Sequence, residues 1–287
     1  MSDGLIRAVT QDGCYRIAVA STSETVVELV RRHAPGPVAA CALARAVTSA
    51  ALLGTGEKDF HRLGLQWNGR GPFSVLIADV RPGGHLRAYL GDPRAAVQSI
   101  EDGVGAGVLT VTRQGPDGRL VQGSLPIASG AVDEDVEYYL RHSEQIPSRL
   151  RTFVDLGEDD FPLAVAGVLV QTLPGGAAEA LLGDTGALSP ATLERSIKAA
   201  QPLEAILADV LVGIPFKLLR GENLDFGCQC SLDRVERGVA MLGTDELLDM
   251  IAKEEPAAVR CDFCSEEYRV DIPGLCRLYD SLIAEER

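Results

Sequence analysis

Four of the chain's seven cysteines fall in two tight pairs near the C-terminus. Cys228 and Cys230 lie in "FGCQC", and Cys261 and Cys264 in "CDFC". No other feature restricts the fold as strongly. Two cysteine pairs separated by a compact helical insert can bring four thiolates to one tetrahedral Zn2+. A tetrathiolate site leaves no open position for water or substrate, so it does not imply hydrolytic zinc chemistry. The module holding the pairs spans roughly 50 residues, too few for a large core, so bound metal would supply much of its folding free energy.

The C-x-C spacing leaves the purpose of such a site open. Both residues can ligate one ion, and zinc holds thiols as thiolates, which are the oxidisable form. The two sulfurs of a short spacing can also meet in a strained, labile disulfide. By spacing alone the layout is either a permanent staple or a switch that oxidation opens, and the staple is the plainer reading. A third reading, a C-x-x-C redox pair at 261–264, lacks the surrounding βαβ pattern that a thioredoxin-like site needs.

The remaining sequence resolves into three parts: an α+β core domain at 1–178, a helical linker segment at 179–227, and the C-terminal four-cysteine zinc module at 228–287. In the first part, "LIRAVTQDGCYRIAVA" predicts a hairpin. "SETVVELVRRHA" predicts a helix capped by Ser23. "PVAACALARAVTSAALLGTG" is Ala-rich and apolar on most sides, as a buried helix is. Further strands are separated by "GRGP", "RPGG" and "GPDG" turns. "DEDVEYYLRHSEQIP" reads as a helix with acids in its first turn. "RTFVDLG" and "LAVAGVLVQTLPGG" complete a mainly antiparallel sheet.

After Gly175-Gly176 the composition turns helical. "AAEALLG" and "SPATLERSIKAAQ" read as helices, the second capped by Ser189 with Pro190 at its first position. In "LEAILADVLVG", Leu203, Ile206, Leu207, Val210 and Leu211 form an amphipathic stripe. That stripe must pack on the large domain or on the cysteine module. In the module, Leu232, Val235, Val239 and Leu242 share one face of a helix, and Thr244 caps the next.

With 27 Lys plus Arg against 41 Asp plus Glu, net charge is −14. Nucleic-acid binders present the opposite balance, which argues against a DNA-reading zinc module. The N-terminus shows no signal-peptide pattern and no apolar run reads as a membrane span, so a soluble cytoplasmic protein is expected. A disulfide framework does not suit that compartment, whereas metal or redox chemistry does. Cys14, in a strand, and Cys41, in the Ala-rich helix, read as small core residues. Cys276 lies in the last helix, with a redox role as its less favoured reading. His33, His61, His85 and His142 share no ligand spacing. Ser143 beside His142 makes no triad, since adjacency in sequence is not the required geometry.

The run "FGCQCSLDRVERGVAMLGTDELLDM…VRCDFCSEEYRV" resembles the zinc module of the 33 kDa chaperonin family, the redox-regulated heat-shock holdases. "FSVLIADVRPGGHLRAYLGDP", "YYLRHSEQIPSRL" and "VAGVLVQTLPGG" are similar to that family's blocks, in the same order. Departures are modest: Gly91-Asp92-Pro93 stands where the family often has Gly-Asn-Pro, and Ala166-Gly167 where it often has two glycines. The resemblance implies an ATP-independent chaperone rather than an enzyme. It implies a compact, zinc-bound reduced form of low activity. Oxidation would form the Cys228–Cys230 and Cys261–Cys264 disulfides and release the zinc. The active form would bind unfolding client proteins, commonly as a homodimer. The stripe Leu203, Ile206, Leu207, Val210 and Leu211 is the candidate client surface, exposed once the module lets go. Neither nucleic acid nor membrane is an expected partner.

Overall fold

In the first hairpin, strand β1 (Gly4–Thr10) pairs antiparallel with β2 (Tyr15–Ser21). The β2 segment "YRIAVAS" is apolar on consecutive residues because both of its faces are covered. Ala18 and Ala20 belong to one buried cluster, and Ile17 and Val19 to another. Side chains of a strand alternate between faces, so a sheet packed on both sides needs this continuous pattern.

The computed structural model describes residues 2–54, 61–157, 161–176, 190–219 and 221–285. It divides into two compact units, 1–227 and 228–287. The described residues of the stretch read from sequence as a helical linker, 190–219 and 221–227, fall among those of the first unit. "AAEALLG" and Ser189 lie outside the described residues.

Among the described residues, two six-stranded sheets build the first unit. One contains β1, β2, β8 (Ser148–Leu156) and β9 (Pro162–Thr172), with β10 (Phe216–Leu218) and β11 (Glu222–Asn223) both pairing β1. The other contains β3 (Arg62–Gly69), β4 (Val75–Arg81), β5 (His85–Leu90), β6 (Gly107–Gln114) and β7 (Leu120–Pro126). Its sixth strand, β12 (Asp225–Phe226), joins β5 in parallel, whereas the other strand pairs of this sheet are antiparallel. β10, β11 and β12 lie in a stretch expected to be helical. Strands of two or three residues carry no readable period, so their partners rather than their sequence create them.

Helix α2 (Pro37–Gly54) contacts strands of both sheets. Ala39, Ala40, Ala42, Ala44, Ala46, Ala50 and Ala51 are all buried. Small side chains around the whole helix let both sheets approach it. By length and composition this helix is apolar enough to cross a membrane, contrary to the sequence reading, but 78% of that stretch is buried inside the fold.

Helix α1 (Ser23–His33) starts at Ser23 instead of being capped by it. Ser23 Oγ accepts from Val165 N at 2.9 Å, while the Asp3 carboxylate accepts from Glu24 N at 2.9 Å and Thr25 N at 2.7 Å. The free amides of the helix start are thus met by the residue that precedes β1. Helix α4 (Val132–His142), which follows the short helix α3 (Ile100–Val104), carries the expected acids in its first turn. Asp133, Asp135 and Glu137 are buried. Asp135 accepts from Trp67 Nε1 and from the backbone at Ala128, Ser129 and Gly130, and Glu137 from Leu150 N and Arg151.

On the outer side of the first sheet lie helices α5 (Pro190–Lys198) and α6 (Leu203–Leu211). Ile206, Leu207, Val210 and Leu211 are fully buried with Ile17, Val19, Val168 and Val170, and half-buried Leu203 packs against the same cluster. The large unit's own sheet is therefore what covers the stripe.

The second unit contains helices α7 (Leu232–Ala240) and α8 (Thr244–Ala252), hairpin β13 (Ala257–Arg260) and β14 (Glu267–Val270), and helix α9 (Ile272–Glu285). Its buried core is Val239, Leu247, Ala257, Val270 and Leu275. Val235 packs against that core, but Leu232 and Leu242, expected on the same buried face, are exposed. Gly243, not Thr244, precedes the second helix, and no side chain caps it.

Candidate metal centre

Cys228 and Cys230 occupy the loop segment just before α7. Ser231 ends that segment as the helix cap, its Oγ accepting from Arg234 N at 3.3 Å. The Arg234 guanidinium reaches back to the carbonyl of Gln229 at 2.8 Å and fixes the residue between the two cysteines.

Cys261 and Cys264 lie in the turn that joins β13 to β14. Cys261 N donates to Glu266 O at 2.9 Å and Ser265 N to Cys261 O at 2.8 Å. Ser265 has a φ of 58°, which turns the chain tightly after Cys264. Val259 and Tyr268 pair across the hairpin below the turn.

These two segments bring the four sulfurs within 4.8 Å of one another. Cys228 Sγ lies 3.7 Å from Cys261 Sγ, and Cys230 Sγ 3.1 Å from Cys264 Sγ. A tetrahedral ion with thiolates at about 2.3 Å needs sulfurs about 3.8 Å apart. A disulfide needs about 2.05 Å. None of the four is in a disulfide, and the sulfurs lie near the spacing of a metal tetrahedron, so they could bind a metal ion.

The surroundings of the four sulfurs differ. Cys264 is buried, and its three partners are half-buried. Burial pushes the Cys264 thiol up, the backbone amide of Glu266 opposes this, and the neighbouring thiols add to the rise. Tyr268 Oη donates to Cys230 Sγ at 3.1 Å. That bond, with the nearby sulfurs, pushes the Tyr268 hydroxyl up to about 12. Sequence reasoning missed Tyr268. Thirty-eight positions separate it from Cys230, and only the hairpin register brings them together.

The other candidates lie elsewhere. Cys14 sits in the β1–β2 turn rather than a strand, half-buried, with burial and then Asp12 raising its thiol. Half-buried Cys41 and Cys276 are not members of the four-thiol cluster. His85 pairs with Asp225 at 2.6 Å, and His142 Nδ1 meets the Tyr138 carbonyl at 2.9 Å.

The Hsp33 protein family model matches residues 3–271, nearly the whole chain. The chain belongs to the Hsp33 family. A 33 kDa chaperonin of Desulforamulus reducens is 34% identical, over 97% of each chain. One from Geobacter sp. strain M21 is 32% identical over the full length of both. The crystal structure of the Thermotoga maritima 33 kDa chaperonin aligns with a TM-score of 0.84 at 21% identity, covering 99% of this chain and all of that one. This Hsp33 relative shares the α+β fold. Family membership makes the protein a chaperone whose partners are unfolded proteins.

Proposed function

We propose that this Hsp33 chain is an ATP-independent holdase switched by oxidation, with one Zn2+ held by Cys228, Cys230, Cys261 and Cys264 in the reduced state. The observation that carries this reading is the ratio of thiols to core in the second unit. Among the described residues, five buried apolar side chains stand beside four clustered thiols. A core that small depends on its metal, so chemistry at the ligands decides whether the unit stays folded. Four soft thiolates suit zinc, which supplies a structural cross-link between the α7 and hairpin segments when bound.

Peroxide oxidation would join Cys228 to Cys230 and Cys261 to Cys264. Each disulfide removes two ligands, and the second unit then loses its support. Exposed apolar side chains would capture unfolding clients. The net charge of −14 helps keep such a surface soluble. The stripe from Leu203 to Leu211 remains the proposed client surface, which requires α6 to leave the sheet that buries it. A cytoplasmic setting, where the resting thiols stay reduced, and a homodimer in the oxidised state complete the reading.

Burial of the stripe by the first unit's own sheet favours a second reading, a constitutive interaction protein with a permanent zinc staple. Zinc content and suppression of test-protein aggregation, measured before and after peroxide with mild heat, separate the two. Zinc loss with a gain in suppression supports the switch. Retained zinc with unchanged activity supports the staple.

A further inference from the structure

The two cysteines of each pair are not equivalent. Cys230 accepts the Tyr268 hydroxyl at 3.1 Å. Cys264 is buried, at 3% exposure, and its sulfur meets the Glu266 backbone amide. Cys228 and Cys261 lie 3.7 Å from each other, half-buried, and take no hydroxyl or amide donor among the described residues. So each pair holds one thiol with a hydroxyl or amide donor and one, called bare below, whose partners among the described residues are only the neighbouring thiols.

A donor on a thiolate withdraws the electron density that a nucleophile uses, and burial limits access to an oxidant. We propose that the pairs divide the labour of oxidation: Cys228 and Cys261 are the thiols that attack peroxide, Cys230 and Cys264 are the resolving thiols, and Tyr268 is the positioning residue that holds Cys230 back. The inference rests on the disulfide pairing proposed above. In each pair the bare thiolate attacks peroxide, forming an S–O bond and breaking the O–O bond, and hydroxide leaves. The resolving thiolate then attacks the sulfenic sulfur, forming the S–S bond and expelling a second hydroxide. Two thiolates and one hydrogen peroxide give one disulfide and two hydroxides. The dithiolate loses the two electrons that the peroxide gains.

The test is site-resolved labelling of the full-length, zinc-loaded, reduced chain. A limiting amount of iodoacetamide is added, the remaining thiols are counter-labelled after unfolding, and fragment-ion mass spectrometry reads each cysteine. A cyclic diketone that traps sulfenic acid, added with peroxide, reports the first oxidised sulfur. Cys228 and Cys261 should label about fivefold ahead of their partners, the factor expected for one hydrogen bond. They should also carry the trapped sulfenate. In Tyr268→Phe, labelling of Cys230 should rise about fivefold while the Cys261 to Cys264 ratio stays fixed.

Equal labelling of Cys228 and Cys230 in the wild type, or an unchanged ratio in Tyr268→Phe, overturns the proposal. If the variant fails to fold, the wild-type ranking decides alone. Metal content of the same samples keeps the readings apart. Absence of zinc defeats the metal reading, while the thiol ranking still tests the division of labour.

Discussion

The sulfurs of Cys230 and Cys264 lie 3.1 Å apart although thirty-four positions separate the residues. Their approach ties the segment before α7 to the β13–β14 turn. Loss of either thiol leaves three ligands for a tetrahedral ion. Cys264→Ser should lower zinc from one per chain to substoichiometric levels and unfold the second unit. Structural zinc contributes about 10–16 kcal/mol in small modules, far more than a five-residue core can replace. Hydrogen exchange should show protection lost across 228–285 and kept across β2 and β9.

Leu207 and Ile17 share one buried cluster, each fully inaccessible. Leu207→Ala should cost about 2–5 kcal/mol, read as a lower denaturant midpoint of the first unit. If this stripe is the client surface, the variant should also suppress aggregation without oxidant, because α6 leaves the sheet more often. A destabilised variant with no such gain would move the client surface elsewhere.

Asp3 caps a helix that begins twenty positions later in the chain. Asp3→Ala removes the acceptor for Glu24 N and Thr25 N. The expected loss is about 0.5–2 kcal/mol, measured by chemical denaturation. Ser23→Ala should disturb the Val165 contact instead, since the Ser23 hydroxyl serves that strand.

Burial raises the pKa of Asp133, Asp135 and Glu137 from the ordinary carboxylate value, against the pull of their donors. The folded state then holds protons that the unfolded chain releases. The stabilisation is full below the unfolded pKa and lost as pH rises through the folded one. The first unit should therefore melt at a progressively lower temperature as pH rises from the unfolded carboxylate value of about 4 through the raised folded values. Asp135→Asn should flatten that dependence. It should also cost about 1 kcal/mol, because an amide nitrogen cannot accept from Trp67.

The parts legible in sequence were those with local signals. Turn residues marked the hairpins, alanine content marked α2, and spacing marked the four cysteines that the fold brings together. What was not legible depended on distant partners. The Asp3 cap, the short strands β10 to β12 and the Tyr268 bond all join segments that no local pattern relates. The stripe of α6 showed that it would be buried but not by what. The periodicity of α7 overstated its core face, because the module is too small to cover Leu232 and Leu242.

The most direct test of the switch is one titration of the purified reduced protein with peroxide at mild heat. It follows zinc release, free thiols and suppression of an unfolded test protein's aggregation together. The account predicts that one zinc leaves as four thiols disappear, with suppression rising in step. Disappearance of the thiols with zinc retained, or zinc release with no rise in suppression, would contradict it.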